Sequence, residues 1–249
     1  MSFLGVLVDI LIIGIFILFA RKNSKLSQIT AVIETIANVL AAVISVPLAN
    51  LAARFSYNSF FRNAIAERIQ AVVDEAVTTT SSTDHIKRIL DELPKMVSYA
   101  AGSYQILTDE NREAVSSLLV GDVSGSSVKI VDILAGPIVQ GVFRATFFVI
   151  FFCFLLYLFK SLGGFFENVL MNADRGSLNR PLGAAMGCIK CAVFVTIVIA
   201  CMRLCIPTIP EQWQFLSGEN LTGSLLFRMF YDQNALMLFL GKGIYPMGL

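Results

Sequence analysis

Charge is scarce in this chain. Only 15% of its 249 residues are Asp, Glu, Lys or Arg, against about a quarter in ordinary soluble domains. The net charge is +1, which gives no reason to expect a nucleic-acid partner. Histidine occurs once, as His85, so a histidine-built catalytic triad or a histidine metal cluster has too few residues. No GxxxxGK[ST] run is present, which removes a Walker-type nucleotide site. No Lys or Arg precedes Arg21, and no small-x-small cleavage site follows the first apolar run. The N-terminus therefore reads as a retained helix and not a signal peptide. The five cysteines (153, 188, 191, 201 and 205) sit in or beside apolar runs, unlike the loop-scattered cysteines of a disulfide framework. Cys188 and Cys191 have CxxC spacing, but on a continuous apolar helix they read as two small packing residues. No cofactor is expected.

Hydrophobic residues, by contrast, make up 56% of the chain, and the mean hydropathy is +0.72. Four apolar runs cover residues 3–20, 29–55, 138–159 and 182–206. A helix of roughly 20 residues crosses the hydrocarbon core. The expectation is an all-α integral membrane protein of about four transmembrane helices, with the lipid bilayer as its first partner. Residues 1–55 hold spans one and two. Residues 56–137 read as a small helical domain, since Ile65, Ile69, Val72, Val73 and Ala76 recur at helical spacing. Within it, 78–83 is a Thr/Ser linker, Asp84 caps a second amphipathic helix, and a third begins at Thr108. Residues 138–206 hold spans three and four, ended by Pro207 and Pro210. Residues 207–249 form a tail, in which 221–240 is apolar but broken by Arg228, Asp232, Gln233 and Asn234. It reads as a surface-lying or half-inserted amphipathic helix.

Orientation follows from the basic residues. The loop at 21–28 has Arg21, Lys22 and Lys25 and no acid. The loop at 160–180 has Lys160, Arg175 and Arg180 against Glu167 and Asp174. Residues 54–132 hold eight basic and eleven acidic side chains. Short basic loops stay in the cytoplasm, so both termini and the helical domain are expected outside it.

The approach to the fourth span, residues 176–190, reads GSLNRPLGAAMGCIK. Leu178, Asn179, Arg180, Gly183, Ala184, Gly187 and Lys190 match the pattern that enters the last helix of the colicin V production protein (CvpA) family, which this stretch resembles. The Val8-Asp9-Ile10 start is also similar. The resemblance covers the four spans. Two departures stand out: residues 21–25 are RKNSK where the family usually has glycine, and Cys191 replaces a glycine often seen after the lysine. The resemblance implies a bacterial cytoplasmic-membrane protein, not an enzyme, tied to toxin production or export and to envelope maintenance. Other membrane or envelope proteins would be its partners.

Ionisable side chains within the spans need partners, because hydrocarbon solvates charge poorly. Counted along helices rising about 1.5 Å per residue, Asp9 and Arg144 lie at similar depths near the outer ends of spans one and three. Glu34 and Lys190 lie at similar depths near the cytosolic ends of spans two and four. Two depth-matched pairs are therefore expected, Asp9–Arg144 and Glu34–Lys190. They either fix helix register or line an ion or proton path; two separated pairs do not make a continuous relay. Ala37, Ala41, Ser45, Ala49 and Ala53 repeat every four residues in span two, and Gly183 and Gly187 form GxxxG in span four. Such faces let backbones approach closely, so these helices are expected to pack on each other or on a second copy. Pro47 should kink span two. The functional expectation is a helper in toxin or peptide export; the alternative is an autonomous transporter or channel with the charged pairs lining its path.

Overall fold

The computed structural model describes residues 3–26, 28–78, 88–89, 91–103, 108–120, 126–170, 180–210, 221 and 223–241. The protein is all-α: no strand occurs among the described residues. Helix α1 is Phe3–Asn23 and α2 is Gln28–Ser56. A π-helical turn, Tyr57–Phe61, joins α2 without a break to α3, Arg62–Thr78. Next come α4 (Lys95–Ser103), α5 (Asp109–Val120), α6 (Ser126–Leu134), α7 (Gly136–Leu170) and α8 (Arg180–Cys205). A 3₁₀ turn, Ile206–Thr208, closes α8, and α9 (Leu225–Asp232) and α10 (Met237–Leu240) follow. Asp84, His85, Leu178, Asn179 and residues 121–125 lie outside the described residues.

Four helical stretches are long and apolar enough to cross a membrane: Phe3–Asn23, Ile29–Ala71, Gly136–Gly164 and Arg180–Thr208. Their surfaces agree with that reading. Ile10, Leu18, Leu51, Phe55 and Phe154 are each at least 60% exposed, and a soluble protein rarely leaves so many large apolar side chains uncovered. Lipid is the solvent such faces require.

The chain divides into two compact units. The first comprises residues 1–49, 146–202 and 218–237. Its core joins Ile12 of α1, Cys191, Val195 and Ile199 of α8, and Leu221 and Phe227 of the C-terminal segment. Phe19 stacks on Phe194 at 6.1 Å, and Phe16 meets Phe230 at 6.2 Å. The second unit comprises residues 50–145, 203–217 and 238–249. Here α3 packs against α5 and α6, and α4 against the 206–208 turn. Ile65, Ile69 and Val73 form the buried stripe of α3, one helical turn apart. Thr108 accepts from the Asn111 backbone N–H at 3.2 Å, which caps α5 where a side-chain oxygen is most useful.

The tail contains its amphipathic helix as α9, shorter than the apolar run 221–240. Ser224 supplies the cap at its start: its hydroxyl accepts from the Phe227 N–H. The helix ends at Gln233.

Candidate functional site

Lys190 is the centre of a polar cluster in the first unit. Two glycines on the same helix position it. Gly183 and Gly187 let α8 ride directly on the end of α1: a Cβ at Gly187 would stand 2.6 Å from the Phe19 carbonyl oxygen, and one at Gly183 2.7 Å from that of Asn23. The GxxxG face therefore packs on α1, which corrects the expectation that it would meet span two or a second copy. The physical reason is local: an oxygen-lined helix end approaches closely only where no side chain intervenes. This contact brings Lys190, one turn further along, to the end of α1. Its Nζ donates to Asn23 Oδ1 at 2.7 Å and to Glu34 Oε2 at 2.5 Å. Asn23 in turn donates from Nδ2 to the Phe19 carbonyl at 3.2 Å. The structure thus brings Glu34 and Lys190 together and adds Asn23, the last residue of α1.

Asp9 and Arg144 find separate partners, which corrects the pairing of one with the other. Asp9 accepts from the Ser224 hydroxyl at 2.6 Å and from the backbone N–H groups of Leu225 (3.1 Å) and Leu226 (2.9 Å). It therefore stands at the N-terminus of α9, where the helix dipole favours negative charge. Gly5, one turn earlier on α1, makes room for this crossing, since a Cβ there would lie 2.5 Å from Gly223 backbone atoms. All four N–H groups of the first turn of α9 are satisfied. Phe227 donates to the Ser224 hydroxyl and Arg228 to the Ser224 carbonyl. At the other end, Asn234 donates to the Thr196 carbonyl of α8 at 2.9 Å and accepts from the Leu236 N–H. In the second unit, Arg144 donates to the Leu240 carbonyl and to Gln140 Oε1, both at 3.2 Å. The chain order gave no sign that residues 221–236 fold back onto α1, which is why the Asp9 partner was missed.

A third cluster, absent from the sequence reading, lies in the second unit. The Tyr57 ring, at the π-helical turn, is fully buried and donates from its hydroxyl to Asp132 Oδ1 at 2.9 Å. Arg62, on the same helical run, forks onto both oxygens of Asp132. Gly136 faces the phenol; a Cβ there would stand 3.2 Å from the Tyr57 hydroxyl. The available signal was a lone acid, Asp132, inside the apolar stretch 128–134.

The remaining expected residues fall as follows. Ala37, Ala41, Ser45, Ala49 and Ala53 are all buried, so the small-residue face of α2 is interior. Ser45 donates to the Ala41 carbonyl at 2.5 Å, satisfying its hydroxyl within its own helix. Helix α2 runs through Pro47 as one element, and the change of helical type comes ten residues later, at the π turn. Arg180 is exposed at the start of α8, and Ala184 is half-buried. Among the described residues, no group of three His, Cys, Asp or Glu side chains could hold a metal ion. Neither a protein-family model, nor a curated protein, nor a solved structure matches this chain.

Proposed function

We propose that this chain is a non-enzymatic component of a bacterial cytoplasmic membrane, of the colicin V production type. It would assist production or export of a toxin or peptide and help maintain the envelope. Its helical domain, on the extracytoplasmic side, would present the surface a partner recognises. One observation carries the reading: Asp9, Glu34 and Lys190, charges within the apolar helices, end on partners from the same chain. Lys190 ends on Glu34 and Asn23, and Asp9 on Ser224 and the start of α9. Charges so used fasten helices together and do not form a relay through the bundle. The resemblance of residues 176–190 supports the family, and its two glycines have a structural task here.

Purified protein in liposomes tests this. It should pass neither ions nor peptides unaided, and in cells it should cross-link to another membrane or envelope protein. Unaided flux would replace this proposal with the channel reading.

A further inference from the structure

The outward face of α9 carries charge where a lipid-facing helix should carry none. Leu225, Arg228, Met229 and Asp232 are spaced i, i+3, i+4 and i+7, which puts them on one side of the helix. All four are exposed. The other side is the interior one, with Phe227 in the core beside Ile12 and Cys191. Helix α9 runs alongside the first span. Its start sits on Asp9, and Phe230 meets Phe16. Those α1 residues follow Phe3 by six and thirteen positions, about 9 and 20 Å along a helix axis, which is inside a hydrocarbon core of about 30 Å. The complete satisfaction of the first-turn N–H groups of α9 fits that depth, since no water is there to complete them.

Arg228 and Asp232 therefore face outward at membrane depth. Their side chains are 68% and 54% exposed and joined by one contact, Nε to Oδ2 at 3.3 Å. That contact uses one of the five donors of a guanidinium. Acyl chains satisfy none of the others, and the cost of leaving them so is high.

We propose that this face docks against the same face of a second copy of the chain, related by a two-fold axis, with Arg228 of each copy against Asp232 of the other. A basic residue followed four places later by an acidic one is self-complementary when two helices run antiparallel, and a two-fold contact requires that property. Exposed Leu225 and Met229 supply the apolar flanks. The Gly183–Gly187 face is already occupied by α1 within one copy, so this interface is separate from it. The inference rests on the membrane fold alone and stands apart from the export reading.

Two differently tagged copies expressed together and purified in mild detergent test it. Wild-type copies should co-purify. Arg228→Asp alone and Asp232→Arg alone should each lower co-purification at least tenfold. Arg228→Asp expressed with Asp232→Arg should restore it, because the acidic face then meets the basic one. Met229→Trp, at an exposed position that leaves the single chain undisturbed, should also separate the copies. It decides the matter if the charge variants fail to accumulate. Single-copy wild-type protein, loss without restoration in the mixed pair, or copies that stay together with Met229→Trp would overturn the proposal.

Discussion

Lys190 places its Nζ 2.5 Å from Glu34 Oε2, and the two partners are unequally hidden: the lysine side chain is 5% exposed, the glutamate 31%. This asymmetry sets the direction of a mutational test. Glu34→Gln leaves a buried ammonium with a neutral amide and Asn23. Lys190→Met leaves a carboxylate near the start of a 29-residue helix, which is longer than the hydrocarbon core and so reaches the headgroup water. Stranding a buried charge costs on the order of 3 kcal/mol. Thermal unfolding in detergent should therefore show Glu34→Gln as the more damaging change. The exchanged pair, Glu34→Lys with Lys190→Glu, should recover part of the loss. Equal damage from both single changes would mean that the pair is not the element holding α8 to α2.

Asp9 and Ser224 should behave as one unit. Ser224→Ala removes a helix cap, a loss of about 1 kcal/mol, together with a donor to Asp9. Asp9→Ala removes the acceptor of that bond and of two backbone N–H groups. Because the two residues share partners, the double variant should be less destabilised than the sum of the singles. Limited proteolysis of the C-terminal segment offers a second readout. Both single variants should raise cleavage after residue 224, and additive effects would indicate independent roles.

How much of this was legible beforehand depends on distance along the chain. The four spans were visible because a run of about 20 apolar residues can be read locally. Glu34 and Lys190 came within reach because both lie in regular helices whose depth can be counted. The same counting failed for Asp9. Its real partner is a short helix of the tail, and depth alone cannot tell a neighbouring span from a segment that folds back beside the first one. Tyr57, Arg62 and Asp132 were missed for a related reason. The hydroxyl and the carboxylate are 75 positions apart, and nothing in a helical periodicity joins them. The glycines at 183 and 187 stand out in the sequence as a close-packing face, but composition does not say which helix will press on it.

Glycine substitutions separate tight contact from open surface. Gly187→Ala puts a methyl 2.6 Å from the Phe19 carbonyl oxygen, so α8 must move off α1. A cost of about 1–3 kcal/mol is expected for such overpacking. Gly14→Ala is the matched control, because a Cβ there meets nothing within 4 Å. Alanine in mid-helix should stabilise α1 by roughly 0.5–1 kcal/mol. Melting temperatures of the two variants should move in opposite directions. A harmless Gly187→Ala would mean that α1 and α8 are further apart than described.

Asp132 should prove more important than either residue that bonds to it. Tyr57→Phe removes one donor and leaves the Arg62 fork intact, for a loss of about 1 kcal/mol. Asp132→Ala leaves the phenol hydroxyl buried without its acceptor, which adds a desolvation penalty of about 1–3 kcal/mol. The π-helical turn at Tyr57–Phe61 should lose its anchor at the same time. Hydrogen exchange across residues 55–65 should rise strongly in Asp132→Ala and weakly in Tyr57→Phe. The same rise in both would show that the phenol, and not the carboxylate, holds the turn.

Orientation is open to a direct test because the charge bias is strong. Arg21 and Lys22 in the last turn of α1 and Lys25 just beyond it have no acid among them, whereas residues 54–132 carry an acidic excess. Basic residues close to span ends hold a loop in the cytoplasm, and acidic ones have little say. A reporter enzyme active only outside the cytoplasm should therefore work when fused near Ser81 and fail near Ser24. Replacing Arg21, Lys22 and Lys25 together with glutamine should weaken that preference and yield a mixed population, since the 160–180 loop alone would then direct insertion. Activity near Ser24 in the wild-type chain would invert the topology and place the helical domain in the cytoplasm.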